Sequence, residues 1–203
     1  MELVNANTVL LGGFNPHIIQ PSWLVEQEVA ADNTEETGVS VQINIGGGAQ
    51  PIRFNLGGFE WEVGLTRLKI SSDEGCDPSH IIKKLLELLP HTPIRAVGHN
   101  FQFRDAERKW EQPLASLPNE HLFHDKLGEQ VSSAIVSTTK RNGDVDLKIV
   151  ITVSSHEALI DANYHRGVDG HSGALNAIDS FGADLEHITD IAEGMCGRET
   201  RHA

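Results

Sequence analysis

The chain has 203 residues, 39% hydrophobic and 22% charged, a balance that supports one packed domain and argues against extended disorder. Its formal charge of −13 is spread along the chain, with seven basic against twelve acidic residues in 1–104 and nine against seventeen in 105–203, which argues against nucleic acid or an anionic membrane as partner. No apolar run approaches the roughly 20 residues that span a bilayer, and the two distant cysteines, Cys76 and Cys196, make a poor disulfide framework, so a reducing, cytoplasmic setting is expected.

A first strand is expected over Val4–Leu11. It has an acidic second residue before it and no basic segment, so it reads as a strand and not as a signal peptide. "QPSWLVEQEV" then suggests a short helix with Ser22 as N-cap and Trp23 as its apolar anchor, followed by a loop over residues 30–38. Val41, Ile43 and Ile45 alternate with Gln42 and Asn44. After "GGGAQP" the same period of two continues through Ile52, Phe54 and Leu56, crosses Gly57-Gly58, and resumes at Phe59, Trp61, Val63 and Leu65. That pattern is a hairpin with a primed turn. The phase slips at Thr66-Arg67 before Leu68 and Ile70, which suggests a bulge within one long strand.

"CDPSHIIKKLLELLPHTP" is a helix capped by Asp77, with Pro78 in its first position and Pro90 as its stop. Residues 94–104 read as a strand, and 105–118 as a polar connector broken by Pro113 and Pro118. The second half repeats the theme. Val131–Thr139 is followed by Asn142-Gly143, a strong hairpin signal, and then by Val145, Leu147, Ile149, Ile151 and Val153 in strict alternation. A third strand falls at 157–165. One long helix over Ser172–Met195 carries an apolar stripe of Ala174, Ala177, Ile178, Phe181, Leu185, Ile188, Ile191, Ala192 and Met195.

The expected class is therefore α+β: antiparallel β-meanders in two similar halves, with amphipathic helices packed on one face of the sheet. A single domain spans 1–203, with possible halves at 1–104 and 119–203 joined by the connector 105–118. "GHNFQFR" (98–104) and "DANYHRG" (161–167) share an Asn-aromatic centre.

Several stretches hold side chains that can do chemistry. His165, Asp169 and His171 lie at the turn between a strand end and a helix start, where two imidazoles and a carboxylate can bind a metal. Their His-x5-His spacing matches no ligand geometry, and Asp169 or Ser172 is more simply a helix cap. His121 and His124, with Asp125, form a second cluster in a segment bounded by Pro118 and Gly128. Cys76 precedes a helix but is ringed by Asp73, Glu74 and Asp77, whose charge disfavours a thiolate. Gly46-Gly47-Gly48 has no lysine at phosphate-loop spacing and leads into a strand. Glu60, Glu62, Asp144 and Asp146 fall on solvent faces of their strands.

The start, "LLGGFNPHIIQPSWLVEQ", resembles a group of bacterial proteins of unassigned activity that open with a strand followed by G-x-F-N-P-x-I-x-x-P-x-W. Gly12, Phe14, Asn15, Pro16, Ile18, Pro21 and Trp23 carry the match. Gly13 departs from it, standing where such proteins often have a bulkier residue. The resemblance implies a bacterial, cytosolic origin and brings no cofactor, metal or catalytic residue with it.

The residues thus favour a non-enzymatic module that binds a protein partner or associates with itself, without a cofactor. Two alternatives are a metal-assisted hydrolase using His165 and His171, and an acidic inhibitor that mimics nucleic acid. Because the negative charge covers both halves, no binding to duplex DNA or single-stranded RNA is expected at physiological salt. An electrophoretic mobility assay at micromolar protein checks this, and a salt-sensitive shift would overturn it.

Overall fold

The alternating segments within residues 1–30, 51–72, 75–106, 133–154 and 157–197, which the computed structural model describes, all join one sheet. Its strands are β1 (Glu2–Gly12), β2 (Ile52–Leu56), β3 (Phe59–Val63), β4 (Arg67–Ser72), β5 (Ile94–Asp105), β6 (Ser133–Asn142), β7 (Val145–Ser154) and β8 (Ala158–Gly167). They lie in the order β2-β3-β4-β1-β5-β8-β7-β6, and every neighbouring pair is antiparallel. Two meanders thus flank a central β1–β5 pair. Gly57 and Gly58, at φ 62° and 79°, make the first tight turn, which needs two left-handed residues that only glycine adopts without strain.

Among the described residues four helices cover one face: α1 (Pro21–Glu26), α2 (Ser79–Leu88), α3 (Gly170–Ile178) and α4 (Phe181–Gly197). The fold is α+β, an antiparallel sheet with its helices on one side. None of these helices is long and apolar enough to cross a membrane. Two apolar cores lie between sheet and helices. The first joins Leu10, Trp61, Ile70, Ile82, Leu85 and Val97 to Ala174 and Ile178 of α3. The second joins Phe101, Phe103, Ile149, Ile160 and Tyr164 to Phe181, Ile188 and Ala192 of α4.

The structure differs from the sequence expectation in five places, one of them the second hairpin, where Asn142 pairs with Val145 in the ladder and the two turn residues are Gly143 and Asp144, so that Asp144 lies in a turn and not on a strand face. The first helix starts two residues early, with Gln20 as N-cap in place of Ser22 and Pro21 at its first position, and Leu24, not Trp23, is its fully buried anchor. The phase slip at Thr66 marks a second turn and not a bulge: Val63 pairs with Leu68 across Gly64–Thr66, so β3 and β4 are separate strands. Pro78 is the N-cap of α2 and not its first helical residue, while Asp77 Oδ1 accepts the Ser79 N–H at 2.8 Å. The C-terminal helix is two helices broken at Asp179-Ser180. There Ser79 Oγ donates to the Ile178 carbonyl at 3.0 Å, satisfying an acceptor that the next turn would have used, and Lys83 pairs with Asp179. Helix α2 thereby holds the end of α3, and α4 departs toward the second core. The expected loop at 30–38, the strand at 41–45 and most of the connector lie outside the described residues.

Phe181 is fully buried within its own chain, edge-on to both His99 and Phe101. Phe181→Ala is expected to cost about 3–5 kcal/mol. Thermal melts should show a steep loss of Tm that is independent of protein concentration. A folded mutant that merely changed oligomeric state on a sizing column would contradict this packing.

Candidate functional site

His99 falls in the apolar phase of β5, between Val97 and Phe101, and is completely buried. Its Nδ1 donates to Asp184 Oδ2 at 2.9 Å across to α4. Arg166, at the end of β8 and in register with Val97, clasps the same carboxylate with two bonds of 2.6 Å. Burial pushes the Asp184 carboxyl upward, but the bonds from His99 and Arg166 and the guanidinium charge outweigh it and hold the carboxyl below its usual range. Beside this group Tyr164 OH lies 2.8 Å from His187 Nδ1, and burial pushes the phenol upward so that it stays protonated. Thr8 pairs with His99 across β1 and β5, and neither Thr8 Oγ1 nor His99 Nε2 has a hydrogen-bond partner.

Thr8, His99 and Asp184 are the residue types of a hydroxyl–imidazole–carboxylate relay. A relay needs its hydroxyl within reach of a substrate. Thr8 and His99 are both at 0% exposure, so the group works as a polar seam between the two cores.

The expected metal candidates separate. His165 follows the inward-facing Tyr164 on β8, so it faces the helix-free side, opposite Asp146 and Gly98. His171 turns to the helical side, where its Nε2 meets the Leu86 carbonyl at 3.0 Å. Asp169 is the exposed N-cap of α3 and makes no side-chain capping bond. His121 and His124 lie outside the described residues. Among the described residues no three His, Cys, Asp or Glu side chains converge as a metal site.

The resemblance motif has a local structural account. A Cβ on Gly12 would come within 2.4 Å of the Pro93 carbonyl oxygen, Phe14 is buried, and Asn15 Oδ1 accepts the His17 N–H at 3.0 Å to turn the chain toward Pro21 and α1. Ile18 instead stays exposed beside Leu88, at a recess of about 300 Å³.

Two further surfaces stand out. On the helix-free face, Asn7, Asn100 and Asn163 lie directly opposite one another on β1, β5 and β8. Asn163 Nδ2 donates to Asn100 Oδ1, Asn100 Nδ2 to Asn7 Oδ1 at 2.7 Å, and Asn7 Nδ2 to Asn5 Oδ1 at 3.0 Å. This row floors a recess of about 330 Å³. The other surface is β6, which among the described residues is an edge strand paired with β7 alone, and in which Ile135 is 71% and Val136 46% exposed.

The seam and the amide row escaped sequence reading, although both left a trace. His99 and Asp184 are polar residues in the apolar phase of a strand and of a helix, and the asparagines align only once the strand order is known. No family model matches the chain, and no curated protein matches it.

Asp184→Asn should destabilise the fold by about 3–5 kcal/mol near neutral pH, because it removes the buried carboxylate and leaves the partly buried Arg166 against a neutral partner. The native carboxyl titrates below its unfolded value of about 3.9, so its stabilisation is complete above that pH and is lost as pH falls through the folded value. Urea unfolding at several pH values should therefore show the gap between wild type and variant narrowing in acid. A gap unchanged down to about pH 3 would show that this ion pair does not anchor α4.

Proposed function

We propose that the chain is a non-enzymatic binding or assembly module that takes up an extended protein segment along β6. The observation that carries this reading is the edge that β6 forms among the described residues. Sheet edges are usually short, bulged, or interrupted by proline or inward-pointing charge, because an open edge pairs with other chains. Strand β6 runs ten residues in unbroken register with β7, and "AIVSTT" contains neither proline nor charge. The opposite edge differs: β2 has five residues, and its Phe54 and Leu56 are buried.

Strand addition draws affinity from main-chain hydrogen bonds and specificity from alternate side chains, here Ile135 on one face and Val136 on the other. Lys140 and Arg141 lie at the turn end of β6. A second copy pairing antiparallel would set them opposite the apolar start of its partner, whereas parallel pairing would stack like charges. Antiparallel self-association about a two-fold axis is thus the first assembly to test. The proposal takes neither nucleic acid nor membrane as partner, in keeping with the charge of −13, and sets the module in a reducing cytoplasm, in keeping with the exposed free thiol of Cys76.

Sedimentation velocity over a range of protein concentrations tests the proposal on wild type and on an Ile135→Lys, Val136→Lys double variant. Wild type should associate as concentration rises. The variant should stay monomeric with an unchanged Tm, since substitutions at such exposed positions usually shift stability by less than about 0.5 kcal/mol each. A wild type that stays monomeric throughout, or a variant that associates equally well, removes the assembly reading.

A further inference from the structure

We propose that the helix-free face of the sheet binds a neutral, hydroxyl-rich small molecule, a mono- or disaccharide, on a floor made by Asn7, Asn100, Asn163, Gln102, Asp161 and Lys148. This site is separate from β6 and does not depend on the assembly reading. Its recess of about 330 Å³ lies between β1, β5, β8 and β7, at the small end of the ~300–1,000 Å³ range of ligand sites.

The residue choice is the first argument. Asparagine is disfavoured in strands, because its side chain competes with the ladder and packs poorly on a pleated surface. Here three adjacent strands carry it at directly opposed positions. Solvation alone would be served better by threonine, lysine or glutamate.

Hydrogen-bond capacity is the second. A carboxamide offers two N–H donors and two carbonyl lone pairs. The lateral chain uses one of each on Asn7 and on Asn100, so both keep a donor and an acceptor. The chain runs one way and ends at the Asn163 carbonyl, whose strand neighbour on β7 is Lys148. Gln102 Nε2 likewise holds Asp161 Oδ1 at 2.7 Å. The polar atoms are therefore oriented before any ligand arrives, which lowers the ordering cost of binding. Sugar hydroxyls both donate and accept, and match such mixed sites.

Charge is the third. Lys148 and Asp161 balance one another in a chain of −13, so the recess favours neither an anion nor a cation. A free nucleobase fits less well. Phe101, the only aromatic residue among the described lining, turns its ring to the other face against Phe181 and Tyr164, so no described ring offers a surface to stack on.

Two-dimensional ¹⁵N NMR reads the side-chain amide signals directly. Wild-type protein is titrated with D-glucose, D-galactose and sucrose up to about 50 mM, well above a ~1 mM dissociation constant, and with sodium phosphate as the anionic arm. At least one sugar should give saturable shifts at the Asn100, Asn163 and Gln102 amides. Removing one hydrogen-bonding partner by Lys148→Ala, an exposed residue whose loss leaves the fold intact, should weaken that response about tenfold. Asn163→Ala, checked for an unchanged backbone spectrum, should do the same. The proposal is overturned if no sugar gives a saturable shift, if both variants respond like wild type, or if phosphate shifts these amides and the sugars do not.

Discussion

A single buried carboxylate sets how the helical layer lies on the sheet. Removing Asp184 from water is costly unless its charge is met, and it is met from two strands at once, by His99 on β5 and by Arg166 on β8. Those bonds fix both the rotation of α4 about its axis and its height above the sheet. With Asp184 held, Phe181 one turn earlier drops between His99 and Phe101, and Ile188 and Ala192 follow onto the second core. The position of Asp184 in the first turn of α4 adds a favourable interaction with the helix dipole. Apolar contacts supply most of the stability, but they are nondirectional, and this ion pair selects one arrangement among several that would bury similar area.

The sequence made the class and most of the elements legible, because alternation and turn residues are local signals. Gly57-Gly58 and Asn142-Gly143 mark two of the turns, and the strands on either side keep their phase. The signal failed where two elements shared one periodicity. Thr66 reads as a slip within a strand because period-two alternation resumes, out of phase, directly beyond the turn. Asp179-Ser180 was read as mid-helix because the apolar stripe continues through it, and only the grip of Ser79 and Lys83 on that point reveals the break. The surfaces proposed to bind are less legible still. An asparagine in each of three strands carries no pattern until β1, β5 and β8 are neighbours, and nothing in "SAIVSTTKRN" says that its strand lies at an edge.

The two faces of the sheet are consequently unlike. One is closed by helices and carries the aromatic residues, including Trp61 stacked on Phe54. The other carries amides and ion pairs such as Arg53–Glu62 and Arg104–Glu157, with no described helix over it. Such a division frees one face for recognition without exposing the core, and the edge strand β6 lies beside it.

Helix α3 follows β8 in the chain, yet its Ala174, Ala177 and Ile178 complete the core built from Phe14, Leu24, Trp61 and Leu85. Strands β1 to β4 and helices α1 and α2 are made early in synthesis, but the core they share is completed only when Ala174, Ala177 and Ile178 have emerged. During translation the first half must wait, with a gap in its core, for a segment encoded far downstream of α2. The first half therefore cannot complete its fold on its own as it emerges, since the helices that follow β8 supply members of both cores.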